Sequence, residues 1–349
     1  MGKTTVAVIF GGESSEYGVS LKSASAVIEN LDRNKYNPVI IGITREGKWL
    51  KYPGSTENIK KDLWFRDPDC TELLISPGIG NEKFFEIAKG RILPLKVDIV
   101  FPVLHGTKGE DGSIQGLLEV MGMPYVGCNV AASAIGLDKD LSHKIVHYAG
   151  YDVPKSMSIT QETMKGKIED FTKTVGFPIY VKPAHGGSSI GMTKAENSLQ
   201  LYQGITEAFT YDKKVVLEEM IHGFEVGCAV LGKGDLLLGT VDEIEVVGGF
   251  FDYNEKYTLK NSKIHLPARI HSDLVNKIKN TARGVYKALG CSGLARVDFF
   301  VDKENRIIFN EVNTLPGFTK GSRFPNMLMH EGYEYKFIID KLIELGLTE

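Results

Sequence analysis

The sequence is poor in the features that mark several common functions. Its four cysteines, Cys70, Cys128, Cys228 and Cys291, are far apart and form no C-x-x-C pair, which argues against a zinc site or a disulfide framework and fits a reducing cytoplasm. There is no basic excess. With 41 Lys and Arg against 44 Asp and Glu, the formal net charge of -3 is the wrong balance for a surface that must neutralise nucleic-acid phosphates. No apolar run reaches membrane-spanning length, and residues 6–10 are too short for the apolar region of a signal peptide. Gly2-Lys3-Thr4-Thr5 lacks the upstream glycine of a Walker A loop, and Val6 stands where myristoylation wants Ser or Thr. Gly11-Gly12 does not complete G-x-G-x-x-G, and His143 and His147, one helical turn apart, lack the glutamate of H-E-x-x-H and read as a helix face. What remains is a soluble small-molecule protein. At 349 residues, 42% apolar and 24% charged, it has room for two or three domains with ample core.

The most informative stretch lies near the C-terminus. Residues 295–301 and 306–313 are rich in Val, Ile and Phe and flank the polar cluster Asp302-Lys303-Glu304-Asn305, which predicts a β-hairpin. Glu311 and Asn313 are two apart and share a face, and Asp298 lies across the hairpin from them. Two carboxylates and an amide brought together repel unless a hard cation sits between them, and Mg2+ with substrate phosphates is the usual solution. Arg296 shares the face of Asp298 and adds a cation where negative charge would develop on phosphate or carbonyl oxygens. The same alternation also suits a solvated outer face. The loop Asn313-Thr314-Leu315-Pro316-Gly317 at the strand end favours a binding site.

Upstream, a buried strand at 6–10, a glycine turn and a helix at 19–31 open an α/β sheet, continued in parallel by strands at 37–44 and 97–103 and ending near 124–127. Both glycine-rich turns fall on one edge of that sheet, with Glu16 and His105 as candidate ligands, although a lone turn histidine is often structural. Asp138-Lys139 starts a helix. A strand at 177–183 leads into the Gly/Ser hairpin 184–192, which either offers N–H and hydroxyl donors to phosphates beside Lys182 or is a plain flexible turn. Glu218 and Glu225 follow a strand end, suited to an adenine amine or ribose hydroxyls and equally to solvent. Residues 246–263 form a long aromatic and polar stretch without a period, read as a lid or binding loop, and helices are predicted at 272–289 and 333–346.

These stretches together resemble the ATP-grasp superfamily, and within it the D-alanine–D-alanine ligases with their vancomycin-resistance relatives, over essentially the whole chain. The motifs are Gly11-Gly12-x-Ser14-x-Glu16, His105-Gly106-x-x-Gly109-Glu110-Asp111-Gly112, Asp138-Lys139, Lys182-Pro183, Gly187-Ser188-Ser189-x-Gly191, Glu255-Lys256-Tyr257, Arg296-x-Asp298 and Asn310-Glu311-Val312-Asn313-Thr314-x-Pro316-Gly317. The resemblance implies an α/β fold of the ATP-grasp kind. An N-terminal open parallel α/β domain (1–127) would be followed by two antiparallel-sheet domains (128–217 and 218–349) gripping ATP. It implies nucleotide contacts from Lys139, Lys182, Ser189, Glu218, Glu225, Phe250 and Lys256. Two Mg2+ ions, replaceable by Mn2+, would sit on Asp298, Glu311 and Asn313. Glu16, Ser188, Tyr257, Arg296, Gly317 and Ser322 would be catalytic, and His105 and Arg323 would face substrate. The implied chemistry phosphorylates the carboxylate of D-alanine and lets the amine of a second D-amino acid attack the acyl phosphate. A cytoplasmic homodimer serving peptidoglycan synthesis is expected.

Three departures from the family pattern stand out: Gly18 and His185-Gly186 where relatives often carry acidic and Arg-Glu residues, and Arg323 where relatives making D-alanyl-D-alanine carry an apolar residue. The last resembles the resistance ligases. Lys256-Tyr257 is retained, which argues against a D-lactate product, so D-serine is the expected second substrate with residual use of D-alanine. A plain D-alanine–D-alanine ligase is the alternative, and an inactive ATP-grasp binding protein is the other, against which the presence of Asp298, Glu311 and Arg296 stands. Residues 184–191 and 246–263 are expected to close as lids, with Ser188 and Tyr257 bonding near Glu16.

Overall fold

The computed structural model describes residues 2–78, 82–187, 189–246 and 262–348. Three sheets organise them. The strand Thr4–Gly11 is buried almost throughout, because it runs parallel between Tyr36–Ile43 and Ile99–Val103 with helices on both faces. That parallel core matches the sequence expectation. Beyond that core, Trp49–Lys51, Thr71–Ile75, Phe84–Ala88 and Arg91–Leu95 extend the sheet by an antiparallel meander to seven strands that no expectation covered. These strands are short and half-exposed, so they carry little continuous apolar signal. The strand expected to end near 124–127 reduces to a single parallel bridge, Val100 with Tyr125; Pro124 has no N–H to extend a ladder.

The second sheet is four-stranded, in the order Thr193–Ala195, Ile179–Pro183, Val215–Glu219, Ser156–Ile159. The helices Lys165–Val175 and Ser198–Ala208 cover one face through Ile168, Leu201 and Ile205. The third sheet runs Ser262–His265, Asp242–Val246, Gly223–Lys233, Gly293–Asp302, Ile307–Asn313, with Asp235–Leu238 paired to Gly223–Lys233. Its alternation is plain in Gly293–Asp302: Val297, Phe299 and Val301 pack into a cluster with Leu274, Ile278, Ala282 and Val285 of the helix Ser272–Ala288. Each such side chain contributes about 1.5–3 kcal/mol by leaving water, which fixes the register and turns Arg296 and Asp298 to the opposite face.

The closing helix, Tyr335–Leu347, inserts Ile338, Ile339, Leu342 and Ile343 into the cluster that holds Val6, Val8 and Ile99. The first sheet is thereby packed against the third, whose Ala229, Leu231 and Leu294 enter the same cluster. The bulk of both expected lids is not covered equally: residues 184–187 and 189–191 are described, whereas 188 and 247–261 lie outside the described residues. Among the described residues, no helix is long and apolar enough to cross a membrane.

Candidate active site

Pairing across the third sheet sets the site. Gly227 pairs with Asp242 on one side and with Asp298 on the other, and Asp298 pairs with Glu311. One row across four strands thus reads Asp242, Gly227, Asp298, Glu311, three carboxylates with a glycine among them. The side chain of Arg323 lies over that glycine. Its fork is bidentate on Asp242 (Nε to Oδ2 2.7 Å, Nη2 to Oδ1 2.8 Å), its Nη1 donates to Glu225 Oε1 at 3.2 Å, and Nη2 lies 3.3 Å from Asp298 Oδ1. A Cβ on Gly227 would strike Arg323 and come within 2.7 Å of Asp298 Oδ1, so only glycine leaves room for the fork. Burial works against the Arg323 charge, but Asp242 and Asp298 outweigh it and raise its pKa further.

In the neighbouring row Arg296 pairs with Asn313. Arg296 donates from Nε to both oxygens of Asp298 (2.9 and 3.0 Å) and from Nη2 to Oδ2 (2.8 Å), and Asn313 Nδ2 donates to the same Oδ2 at 3.1 Å. Arg296, Asp298 and Asn313 are thus in direct contact on one face, with Glu311 paired beside Asp298 on the neighbouring strand. Among the described residues, no three His, Cys, Asp or Glu side chains meet in a metal-like group; the third oxygen donor here is an amide.

Between the second and third sheets lies a cleft of about 600 Å3, lined among others by Lys139, Lys182, Ser189, Glu218, Glu225 and Glu311. Lys182 Nζ donates to Glu218 Oε1 at 2.6 Å, and both side chains are almost fully buried. Glu218 Oε2 is buried and has no hydrogen-bond partner among the described residues. An acceptor in that state calls for a donor from a ligand. Lys139 begins the helix Lys139–Tyr148, capped by Asp138, and its Nζ donates to the carbonyl of Gly186.

Beyond the hairpin a second cavity, about 350 Å3, is lined by Glu16, His105, Glu110, Arg296, Asn313, Gly317, Ser322 and Arg323 among others. It brings together the two glycine turns of the first sheet and the loop that follows Asn313. His105 lies 2.8 Å from the Leu315 carbonyl through Nδ1 and 3.2 Å from Ser23 Oγ through Nε2, while Ser23 Oγ accepts from Phe318 N–H. Nδ1 must carry the proton toward the carbonyl, and with burial lowering the ring's pKa the neutral form is favoured, Nε2 then accepting from the Ser23 hydroxyl. His105 lines the cavity, yet both its nitrogens are engaged within the protein. Glu110 accepts from Gly106 N–H (2.8 Å) and Leu315 N–H (3.2 Å), and burial beside the Glu16 charge pushes its carboxyl up to about 8. Ser322 stands at the N-cap position of the helix Arg323–His330, but its hydroxyl accepts from Thr319 N–H at 3.0 Å rather than from the helix.

The comparisons agree with this layout. Residues 5–128 match the family described as D-ala D-ala ligase N-terminus, and residues 145–344 match D-ala D-ala ligase C-terminus. The chain belongs to the D-alanine–D-alanine ligase family. It is 42% identical to the vancomycin C-type resistance protein VanC1 of Enterococcus gallinarum, over 98% of each chain. The structure of the VanG D-Ala:D-Ser ligase from Enterococcus faecalis superimposes with a TM-score of 0.92 at 48% identity, covering 99% of this chain and 100% of that one. A D-alanine–D-alanine ligase from Bacillus anthracis complexed with ATP gives 0.73 at 30% identity, covering 99% and 98%.

This ligase is accordingly an ATP-dependent enzyme that forms a C–N bond, and its fold is that of the ATP-grasp ligases. ATP fits the larger cleft on this chain's own terms: two lysines for phosphates and a buried, unsatisfied Glu218 oxygen for an amine. Ser188, Phe250, Lys256 and Tyr257, expected at the site, lie outside the described residues. Two site residues escaped the sequence reading. Asp242 sits in a strand of the same alternating kind as the hairpin, and Glu110 belongs to the quoted His-Gly motif but was given no role there. His143 and His147 do not converge: His143 is buried with Nε2 2.9 Å from the Asn310 carbonyl, and His147 is exposed.

Proposed function

We propose that this ligase activates D-alanine as an acyl phosphate and joins it preferentially to D-serine, with D-alanine as a minor acceptor. Lys139 and Lys182 are placed to meet the phosphates of ATP, and the Glu16 carboxylate to take the ammonium of the first D-alanine. Asp298 and Glu311, with Asn313 turned to present its amide oxygen, form a hard oxygen donor set that would hold Mg2+, which offsets phosphate charge when bound. Arg296 and Gly317 line that cavity, and the guanidinium and the Gly317 N–H would stabilise the oxygen of a tetrahedral intermediate. No side chain of the protein need act as a nucleophile. The product dipeptide would enter peptidoglycan precursors.

The observation that carries the acceptor is Arg323, which lines the smaller cavity and is held there by its fork on the buried Asp242 behind it. A pocket built to hydrogen-bond a hydroxyl rejects the molecule lacking it far more strongly than an apolar pocket rejects an added hydroxyl. Nε, Nη2 and one N–H of Nη1 already face Asp242, Asp298 and Glu225, so the second Nη1 N–H is the donor that would meet such a hydroxyl, held rigid by the others. A second reading uses the same fact: with Asp242, Glu225 and Asp298 all around it, Arg323 is a structural ion cluster and D-alanine is the acceptor. Arg323→Met separates the two. The D-serine reading expects the ratio of D-serine to D-alanine incorporation to fall at least about tenfold, equivalent to the loss of one net hydrogen bond; an unchanged ratio in a variant of reduced stability would establish the second reading instead.

A further inference from the structure

The His185-Gly186 departure lies at the base of the glycine-rich turn, outside the roles assigned above. The turn is anchored through its backbone: Lys139 N–H donates to the Ala184 carbonyl at 3.1 Å, and Ala184 N–H to the Lys214 carbonyl at 2.9 Å. His185 adds a side-chain anchor. Its N–H donates to Asp212 Oδ2 at 2.7 Å, its Nδ1 lies 2.9 Å from that same oxygen, and its Nε2 lies 3.2 Å from Asp138 Oδ2. Both ring nitrogens thus face carboxylates, which only the imidazolium can satisfy as a double donor. Asp138 is the N-cap of the helix that starts with Lys139, so the ring ties the turn to the element that presents that lysine.

The other end of the turn reaches the chemistry. The Gly186 carbonyl accepts from Lys139 Nζ, and a Cβ on Gly187 would lie 2.8 Å from Glu16 Oε2. A few residues therefore span from the His185 anchor to a nucleotide lysine and the carboxylate for the first substrate.

We propose that His185 is a positioning residue: as an imidazolium bridging Asp138 and Asp212, it pins the turn at 184–187 and thereby sets the affinity for nucleotide. The inference rests on the ATP-dependent ligase reading but not on the identity of the acceptor. Charged groups surround the ring: Asp138 and Asp212 bond it, Lys214 also bonds Asp138 and lies 3.4 Å from Asp140, and Lys144 pairs with Asp140 at 2.9 Å. The bonds to Asp138 and Asp212 push the histidine up to about 9 against the cost of burial. The folded pKa being raised, the bridge is complete well below 9 and is lost as pH rises through about 9.

The test measures binding of a non-hydrolysable ATP analogue with Mg2+ and no amino acid, from pH 7 to pH 10, alongside KM for ATP and kcat at saturating D-alanine and D-serine. In the parent enzyme affinity is expected to hold to about pH 8 and weaken above 9. His185→Gln is expected to bind the analogue about tenfold more weakly at pH 7.5, with the step near pH 9 gone and kcat within about threefold of the parent. His185→Arg, which keeps two donors and a charge at all these pH values, is expected to restore the affinity and hold it to pH 10. Asp212→Asn, which removes one arm of the bridge, is expected to move affinity in the direction of His185→Gln. Parental affinity in His185→Gln, or an alkaline step persisting in His185→Arg, would overturn the proposal. Absence of acceptor preference for D-serine would sink the functional reading and leave this one standing, since the binding measurement contains no amino acid.

Discussion

Replacing Lys182 with methionine removes one ammonium that serves both a buried pair and the nucleotide cleft, and the two effects can be read separately. The Nζ of Lys182 sits 2.6 Å from Glu218 Oε1, and the two side chains retain only 9% and 2% of their exposure. With the ammonium gone, the Glu218 carboxylate stays buried with neither oxygen paired, because Oε2 already has no partner among the described residues. Breaking a buried pair from one side costs roughly 3–5 kcal/mol. Glu218→Gln in the Lys182→Met background removes the orphaned charge and is expected to recover most of that stability. It should not recover nucleotide binding: a charge-assisted hydrogen bond to phosphate contributes about 1.5–3 kcal/mol, so ATP affinity should stay about ten- to a hundredfold weaker in both variants. Urea unfolding of the apo protein reads the first quantity and titration with a non-hydrolysable ATP analogue the second. A Lys182→Met protein as stable as the parent, or a double variant that binds nucleotide normally, would refute the reasoning.

Other perturbations test neighbouring parts of the site. Glu311→Gln removes a carboxylate from the proposed metal face and should lower turnover at least about a hundredfold, measured as ADP release with D-alanine present. Glu110, with its pKa raised to about 8 by burial and the Glu16 charge, keeps its proton in the folded state between about pH 4.5 and 8 while the unfolded chain releases it. Its contribution to stability therefore declines as pH rises through that window, with a slope of up to about 1.4 kcal/mol per pH unit; Glu110→Gln should flatten the pH dependence of the unfolding free energy, and an unaltered slope would contradict the assignment. Gly227→Ala places a methyl against Arg323 and 2.7 Å from Asp298 Oδ1, and is expected to reduce turnover and acceptor discrimination together in the same coupled assay.

How much of this was legible in the sequence depended on the range of the interactions. The hairpin was readable because period-two alternation and a polar turn lie within twenty residues, and the burial of Val297, Phe299 and Val301 leaves Arg296 and Asp298 no other face. The parallel core was readable from a continuous apolar run in Thr4–Gly11. The antiparallel extension was not: Thr71–Ile75 and Phe84–Ala88 are five residues each and half-exposed, and only their mutual pairing gives them a pattern. The Arg323–Asp242 fork was invisible because its partners are 81 residues apart and meet only when Asp242–Val246 joins Gly223–Lys233. Glu110 was one letter of a motif, and its carboxyl's service to the backbone of Gly106 and of Leu315, 205 residues away, shows only in the fold.

Acceptor choice tests the central claim most directly. The unmodified enzyme, supplied with ATP, Mg2+ and D-alanine, is offered D-alanine, D-serine and D-lactate as competing acceptors at neutral pH, and the products are separated and counted. The account predicts D-alanyl-D-serine as the main product, D-alanyl-D-alanine as the minor one and no depsipeptide, with one ADP released per product. A clear preference for D-alanine over D-serine would contradict the role given to Arg323 and Asp242 and leave a plain D-alanine–D-alanine ligase.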